Sequence, residues 1–202
     1  MPRTLAILVF DGVEPLDVVG PFEAFLCAED DAGTALFDVG LVAATAEPVT
    51  ASGRLVMTPR WSFATLPRAD ILLVPGGDGT EALCGDRAIL DWIVARNGET
   101  DMTLSVCTGA QVLASAGLLK GLKATTYWKC YDWLRSIDPS IDVLEGARWA
   151  DNGRIVCSSG VSAGIDMALH VIAKLHGEPC AANAARAMEY EYWPPAELTT
   201  VP

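Results

Sequence analysis

The sequence predicts an α/β fold in which helices cover both faces of a mostly parallel sheet. Apolar runs without polar alternation, such as residues 4–10 and Ile71–Val74, are typical of strands that are buried on both faces. These runs alternate along the chain with segments of helical spacing, which is the element order of a doubly wound sandwich. Because the chain has 202 residues and is 51% hydrophobic, we expect a single domain spanning residues 1–202.

Turn and cap residues divide the chain into the elements of this fold. The first strand, at 4–10, is followed by a loop that places Glu14 and Asp17 at its carboxyl edge. Pro21 suits the first turn of the following helix, which runs to about residue 28. The other elements are predicted as a strand at 37–44, a hairpin at 49–58, a strand at 71–74, a helix at 86–97, a strand at 102–106, a helix at 108–116, a strand at 123–126, a helix at 127–137, a hairpin at 148–158, helices at 163–176 and 179–188, and an irregular tail with Pro194 and Pro195.

The stretch at 102–110 predicts a strand, a sharp turn and a helix, with Cys107 on the turn. A helix N-terminus carries about half a positive charge, and such an environment lowers the pKa of a thiol and makes it nucleophilic. Ser105 stands where this kind of nucleophile elbow has a glycine, whereas the second glycine of the pattern is present as Gly109. We expect Cys107 to be a nucleophile with a lowered pKa. The alternative is a buried thiol that only packs.

Charge excludes several classes of partner. The formal net charge is −12, so the chain lacks the basic surface of a nucleic-acid-binding protein and the basic amphipathic stretch of a membrane-surface protein. The apolar run at 5–10 is too short for a signal peptide, and no run approaches the ~18 apolar residues of a membrane span. We therefore expect a cytoplasmic protein, and the charge leaves small neutral or cationic ligands open.

The six cysteines are spread almost evenly along the chain, without a C-x-x-C pair and without a histidine cluster nearby. This spacing argues against a metal site and against a disulfide framework. We expect no metal, and five of the cysteines to serve only packing.

Several short motifs follow one another in one order along nearly the whole chain. They are Leu16-Asp17, Gly20-Pro21, Val74-Pro75-Gly76-Gly77, Ser105-Val106-Cys107-Thr108-Gly109, Ala116-Gly117-Leu118-Leu119, Ala124-Thr125-Thr126 and Ala163-Gly164-Ile165-Asp166. In this order they resemble the DJ-1/PfpI (ThiJ) family of class I glutamine-amidotransferase-like proteins, and within it the isocyanide (isonitrile) hydratase branch.

The resemblance implies a flavodoxin-like three-layer sandwich, a homodimer and chemistry without a cofactor. It assigns the role of nucleophile to Cys107 and places an acid, Asp17, against it. It also implies that the amides of Gly77 and Thr108, next to Gly76, supply an oxyanion-type hole.

One departure from the family concerns histidine. Many members have a histidine after the Thr-Thr pair, where this chain has Tyr127. Its two histidines, His170 and His176, are six residues apart on one predicted helix and project in different directions. A Cys-His-Asp triad is therefore not supported, whereas a cysteine assisted by a single carboxylic acid is.

Two further assignments have a structural alternative. Asp17 could cap the helix that follows it, but a carboxyl beside a thiolate and shielded from water can hold a proton at neutral pH, and we favour this role. Glu14 and Glu23 are weaker candidates for the acid. The aromatic residues at 127, 128 and 133 are favoured as core residues over an aromatic pocket wall.

These observations lead to one leading hypothesis and two alternatives. The leading hypothesis is the hydration of an isocyanide to an N-formamide, with Cys107 as nucleophile and Asp17 as acid and then base. One alternative is a glyoxalase- or deglycase-like hydrolase acting on 2-oxoaldehydes or their adducts. The other is a protein without catalytic activity that senses a ligand or the redox state.

Overall fold

The computed structural model describes residues 1–191, so that the predicted tail with Pro194 and Pro195 lies outside the described residues. The described strands are β1 (Arg3–Leu8), β2 (Phe37–Ala43), β3 (Val49–Thr50), β4 (Val56–Met57), β5 (Trp61–Ser62), β6 (Ile71–Val74), β7 (Met102–Ser105), β8 (Lys123–Ala124), β9 (Asp142–Val143), β10 (Trp149–Asp151) and β11 (Ile155–Ser158). The described helices are α1 (Pro15–Leu26), α2 (Thr80–Gly85), α3 (Arg87–Glu99), α4 (Gly109–Ser115), α5 (Tyr131–Ile137), α6 (Ala163–His176) and α7 (Glu178–Ala187).

Seven of these strands form the central sheet, in the order β10-β11-β7-β6-β1-β2-β5. All neighbours are parallel except β10 and β11, which form an antiparallel hairpin at one edge. Helices α1, α6 and α7 pack against one another, and α2 to α5 form a second group. The predicted α/β, flavodoxin-like sandwich with a mostly parallel sheet is therefore confirmed.

The core explains why the strand sequences are apolar throughout. Side chains on both faces of β1 and β6, including Leu5, Ile7, Leu72 and Leu73, are completely buried because helices cover the sheet on both sides. Burying a leucine or isoleucine side chain stabilises a fold by about 1.5 to 3 kcal/mol. The continuous apolar pattern thus fixes these strands at the centre of the sheet.

Both predicted hairpins are present, as β3 with β4 and β10 with β11. The N-cap of α3 is also as predicted, because Asp86 Oδ1 accepts hydrogen bonds from the amides of Ala88 (2.9 Å) and Ile89 (3.2 Å). The helix continues through the predicted stop at residues 97 and 98 and ends at Glu99. The short elements α2 and β5 were not predicted.

The start of α1 differs from the prediction. The helix begins at Pro15 instead of Pro21, because Pro15 already has the fixed φ and the missing N–H that suit a first helical position. Pro21 lies inside the helix. Asp17 is therefore in the first helical turn and not in a loop.

The segment after the elbow helix differs as well. Its strand β8 does not join the central sheet but pairs in parallel with β9 in a separate two-stranded sheet. The aromatic-rich helix begins at Tyr131 and not at Tyr127, because residues 127–130 form a turn in which the Cys130 amide donates to the Tyr127 carbonyl at 2.8 Å. This turn sets the position of Tyr127 relative to the elbow.

Within residues 1–191, none of the helices has the length and apolar character needed to cross a membrane. In the same part of the chain, no three His, Cys, Asp or Glu side chains come together as a metal site. All six cysteines are unpaired thiols.

Candidate active site

Four loops meet at one edge of the sheet. Strands β11, β7, β6 and β1 are parallel neighbours, so the segments that follow them lie side by side at their carboxyl ends. These segments are residues 159–162, 106–108, 75–79 and 9–14, respectively. In parallel sheets this edge is where ligands bind.

The elbow between β7 and α4 is tightly built. Cys107 has a φ of 56°, a left-handed conformation that is uncommon for residues other than glycine and often marks a functional position. A Cβ atom on Gly109 would lie 2.0 Å from the Val74 carbonyl oxygen, and one on Gly76 would lie 2.5 Å from the Thr108 amide nitrogen. Both positions therefore require glycine, as the close packing of strand and helix demands.

Hydrogen bonds from neighbouring loops hold the backbone of Cys107. Its amide donates to the Ser159 carbonyl at 3.1 Å, and its carbonyl accepts from Thr126 Oγ1 at 2.8 Å. The same threonine hydroxyl is 2.8 Å from Gln111 Oε1. The strained backbone of Cys107 is thus fixed from two sides.

Asp17 lies beside this cysteine and is completely buried. Its Oδ2 accepts a hydrogen bond from the Gly76 amide at 2.9 Å, whereas its Oδ1 is buried without a partner of normal geometry among residues 1–191. Burial raises the pKa of Asp17 to about 7, and the charge of Glu14 adds to this rise, although donors at Gly76, Cys107 and Val161 act against it. The carboxyl therefore holds or releases a proton near neutral pH.

The alternative role of Asp17 as a helix cap is not supported. The N-cap of α1 is Glu14, and no side chain caps this helix end. The carboxyl of Asp17 bonds across to the loop after β6 instead. The repulsive charge on it comes from Glu14 and not, as expected from the sequence, from the Cys107 sulfur.

The expected lowering of the Cys107 pKa is wrong. The residue is only 7% exposed. Burial and, next, the nearby charge of Asp17 together raise the pKa of its thiol to about 12, although the amides of Thr108 and Val161 act against this rise as hydrogen-bond donors. The two amides do not offset the cost of burying a negative sulfur. The resting form is therefore a thiol.

The amides predicted for an oxyanion-type hole have partners inside the protein. The Gly77 amide donates to Thr108 Oγ1 at 3.1 Å, and Thr80 Oγ1 lies 2.8 Å from the same hydroxyl oxygen. The Gly76 amide is engaged by Asp17. The donors directed at the sulfur are the amides of Thr108 and Val161. The role of Gly77 in such a hole stays a prediction.

A cavity of about 390 Å³ opens above the Cys107 thiol. It is lined by Glu14, Gly77, Asp78, Glu81, Cys107, Thr108, Tyr127, Cys130, Trp133 and Val161. Its walls thus combine aromatic rings, two cysteines and three carboxylates. Such a volume suits a small organic molecule.

A comparison with known proteins places this site in a family. The model of the DJ-1/PfpI family matches residues 3–174. The chain belongs to this family. It is 34% identical over 195 residues to the isonitrile hydratase of Pseudomonas putida, an alignment that covers 96% of this chain and 82% of that protein.

Two other proteins are similar to this chain over nearly its whole length. The crystal structure of a ThiJ/PfpI family protein from Pseudomonas syringae superposes with a TM-score of 0.85 at 33% identity, covering 96% of this chain and 78% of that one. The HTH-type transcriptional regulator GbdR of Pseudomonas aeruginosa is 27% identical over 190 residues, which are 94% of this chain. This chain spans about half of that regulator, 51% of its length.

Several residues of this site were not predicted from the sequence. Val161, with a φ of 53°, donates its amide to the sulfur from the loop after β11. Cys130 and Trp133 line the cavity from the turn and helix that follow β8. Val161 follows the predicted hairpin at 148–158, but no pattern in the sequence places that hairpin beside the elbow strand. The sequence favours Trp133 as a core residue over an aromatic pocket wall, and Cys130 is expected only to pack. The position of their segment outside the central sheet is set by tertiary structure.

Other candidates lie away from the cavity. His170 Nε2 is 2.8 Å from Asp151 Oδ2, and His176 packs edge-on against Phe37. The Cys27 thiol is 3.6 Å from Glu23 Oε1. Trp128 is an exposed residue, so its predicted place in the core is wrong. Tyr127 and Trp133 were also predicted as core residues, but they are half-buried and line the cavity.

Proposed function

We propose that this chain is a lyase-type enzyme that hydrates an isocyanide to an N-formamide without a cofactor. The observation that carries the proposal is a completely buried Asp17, its pKa raised to about 7, beside the Cys107 thiol. A group that titrates near the working pH can both give and take a proton. The similarity to an isonitrile hydratase over 96% of the chain supports the same reaction.

The first stage forms a covalent intermediate. The Asp17 carboxylate takes the proton of the Cys107 thiol as the sulfur forms a bond to the terminal carbon of the isocyanide. One electron pair of the carbon–nitrogen triple bond moves to nitrogen, and the protonated Asp17 then delivers the proton to the lone pair that the carbon has kept. The product of this stage is a thioimidate in which the carbon is joined to sulfur, hydrogen and the substrate nitrogen, and Asp17 is again a carboxylate.

The second stage adds water and releases the enzyme. Asp17 takes a proton from a water molecule as the water oxygen forms a bond to the thioimidate carbon. Asp17 then gives this proton to the substrate nitrogen. The carbon–sulfur bond then breaks, a carbon–oxygen double bond forms, and the hydroxyl proton returns through Asp17 to the sulfur. The N-formamide leaves and the thiol is restored. The net reaction adds one water molecule to the isocyanide.

The surroundings of Cys107 support this route. The amides of Thr108 and Val161 bond to the sulfur, so they stabilise it while it carries negative charge before attack and after release. With Gly77 and Gly76 they are our candidates for the substrate-binding amides. The route needs no imidazole, which agrees with a tyrosine at position 127.

A regulatory or sensing role is the second candidate, because the transcriptional regulator GbdR is 27% identical over 94% of this chain. A glyoxalase-like activity also begins with attack by Cys107, but on a carbonyl carbon. These reactions differ in their products, so a single panel of substrates separates them.

The test uses purified protein with an alkyl isocyanide and with methylglyoxal, and it detects formamide and hydroxy-acid products by NMR. We expect formamide from the wild type, none from Cys107→Ser, and a loss of about 10² to 10⁴ in rate for Asp17→Asn. The matched control is Asp91→Asn, an exposed position on α3, which should keep the wild-type rate. Formamide production by Asp17→Asn at nearly the wild-type rate would contradict the mechanism. Hydroxy-acid product alone would favour the glyoxalase-like reaction, and ligand binding without turnover would favour the sensor.

We also propose that the chain acts as a single-domain homodimer in the cytoplasm. Val19 and Leu26 on α1 are 45% and 48% exposed, and their seven-residue spacing puts them on one helix face. Exposed apolar side chains on one face are a feature of subunit interfaces. Light scattering on the wild type and on Val19→Asp measures the molecular mass, and a monomeric wild type would contradict this proposal.

A further inference from the structure

The cavity above Cys107 has an unbalanced charge. Glu14, Asp78 and Glu81 line it, and no lysine or arginine does. None of these three carboxylates makes an ion pair or a side-chain hydrogen bond within the described range 1–191. The remaining residues, 192–202, include no lysine or arginine in their sequence.

Some acidic side chains elsewhere in this chain are neutralised by a neighbouring cation. Asp38, Asp101, Asp151 and Asp166 each pair with a basic side chain. A protein of net charge −12 has few cations to spare, but three unpaired carboxylates around one concave site create a strong local field. Such a cleft attracts positive ligands and repels negative ones.

The aromatic wall gives a second reason to expect a cation. Tyr127 and Trp133 line the same cavity. The Tyr127 ring is held in place because it packs on the backbone of Gly160, where a Cβ atom would lie 2.6 Å from Tyr127 Cδ2. The face of an aromatic ring attracts ammonium groups, and quaternary ammonium ligands are recognised by aromatic cages.

A third observation lies at the base of the site. Asp17 is completely buried, and its Oδ1 has no hydrogen-bond partner of normal geometry in the described chain. Asp17 lies beside Cys107 and is not among the described residues that line the cavity, whereas charged acceptors surround the opening, where Asp78 and Glu81 are exposed and Glu14 is half-buried. No donor side chain with a positive charge lies among the lining residues to receive an anionic group.

We infer that this cavity selects a substrate that carries a positive charge, namely an isocyanide whose substituent ends in an ammonium or trimethylammonium group. This inference rests on the proposed function for the reacting end, at Cys107. The cationic end contacts the rings of Tyr127 and Trp133 and faces the carboxylates of Asp78 and Glu81. The specificity-determining feature is the charge of the substituent, and anionic isocyanides are rejected.

The test compares three isocyanides of equal chain length that end in a trimethylammonium, a tert-butyl or a carboxylate group. For the wild type we expect kcat/KM to be about tenfold higher for the cation than for the neutral compound and lowest for the anion. Added sodium chloride should shrink the difference because it screens exposed charges. Equal kcat/KM values for the three compounds would overturn the inference.

A pair of double variants identifies the groups responsible. Asp78→Asn combined with Glu81→Gln should lower the ratio of kcat/KM for cation over anion by about tenfold. Asp31→Asn combined with Glu47→Gln changes the net charge equally at exposed positions outside this cavity, and it should leave the ratio as in the wild type. If the first variant shifts the pH optimum and leaves the ratio unchanged, the carboxylates act on Asp17 and not on the substrate, which would also overturn the inference.

Failure of the proposed function gives a different result. If the wild type converts none of the three isocyanides, the hydratase proposal fails, and calorimetry with the three corresponding N-formamides then tests charge selection alone. Tighter binding of the cationic formamide, weakened in Asp78→Asn with Glu81→Gln, would keep the inference. Equal affinities for the three formamides would overturn the inference.

Discussion

The Gly76 amide donates a hydrogen bond of 2.9 Å to Asp17 Oδ2 and so joins the first turn of α1 to the loop after β6. Gly76 has no side chain, and a Cβ atom at this position would lie only 2.5 Å from the amide nitrogen of Thr108. Gly76 thus has two roles. Its amide orients the carboxyl of Asp17, and its lack of a side chain allows the nucleophile elbow to approach the loop after β6. The relative placement of Asp17 and Cys107 depends on Gly76.

Replacing Asp17 should change the acidity of Cys107. The charge of Asp17 is one of the causes that raise the pKa of this thiol to about 12, and Asp17→Asn removes that charge while keeping a similar shape. We expect the Cys107 pKa to fall in the variant, as measured by titration of the thiolate absorbance in the ultraviolet, although turnover is lost. Cys107→Ser supplies the baseline, because the other five cysteines remain in it. An unchanged pKa would mean that burial alone controls the thiol.

The carboxyl of Asp17 should also make the free energy of unfolding depend on pH. Asp17 has an ordinary pKa of 3.8 when unfolded and a pKa of about 7 in the native protein. Between these values the native state holds a proton that the unfolded state has lost, so the free energy of unfolding should fall as pH rises from about 4 to about 7 and then level off. The full effect is at most about 4 kcal/mol.

Other carboxylates also titrate in this range, so the measurement is a difference. Urea unfolding of the wild type and of Asp17→Asn, followed from pH 4 to pH 8, isolates the contribution of this group. We expect the wild type to lose stability relative to the variant as pH rises. A difference that stays constant with pH would show that the native pKa of Asp17 is not raised.

Two glycine substitutions should have opposite effects. In Gly109→Ala the added Cβ would lie 2.0 Å from the Val74 carbonyl oxygen, so the elbow must open and we expect a loss of both stability and activity. Gly98 lies inside α3 with no atom within 4 Å of a built Cβ, and Gly98→Ala should raise stability by about 0.5 to 1 kcal/mol. Thermal unfolding of both variants checks this, and a Gly109→Ala protein as stable as the wild type would contradict the packing argument.

The parts of the site that follow from local patterns could be predicted from the sequence. The apolar strand, the Cys-Thr-Gly turn and the helical spacing after it place Cys107 on an elbow without any tertiary information. The partnership of Asp17 with Cys107 came only from the resemblance to the family, because the two residues are 90 positions apart in the sequence numbering. No local pattern connects them.

The remaining features depend on tertiary packing. The position of Cys107 at a helix end favours a low pKa for its thiol, but burial, which only the folded chain determines, outweighs this effect. The start of α1 had two prolines that could each begin a helix, and packing selected the earlier one. The unpaired state of Asp78 and Glu81 could not be predicted either, since it depends on where every lysine and arginine comes to lie.

The histidines should be dispensable for chemistry. His170 bonds to Asp151 and stacks on Trp149, with ring centroids 5.0 Å apart, and neither histidine lines the cavity. We expect His170→Ala and His176→Ala to keep the wild-type kcat and pH profile. His170→Ala should lose roughly 0.5 to 1.5 kcal/mol of stability with its hydrogen bond to Asp151. A large loss of kcat in a variant that remains folded would bring an imidazole back into the mechanism.

The pH dependence of the reaction should report Asp17 and Cys107 as a pair. Burial raises the pKa of Asp17 to about 7 and that of Cys107 to about 12, so the pair holds two protons below pH 7 and one proton above it. Attack requires the form with one proton, because the carboxylate must be free to take the proton of the thiol. Two coupled groups of this kind titrate as a unit.

We therefore expect kcat/KM for an isocyanide to rise with pH through about 7 and to stay high into the alkaline range, where one proton is still shared between Asp17 and Cys107. Initial rates from pH 5 to pH 9 at constant ionic strength measure the profile, and the uncatalysed rate is subtracted at each pH. Asp17→Asn should lose the rise near pH 7 together with most of its activity, while Asp91→Asn should keep both. A profile that is flat or falls between pH 5 and pH 7 would show that the protonated acid and not the carboxylate begins the reaction, and the first stage would then have to start from a thiolate formed without Asp17.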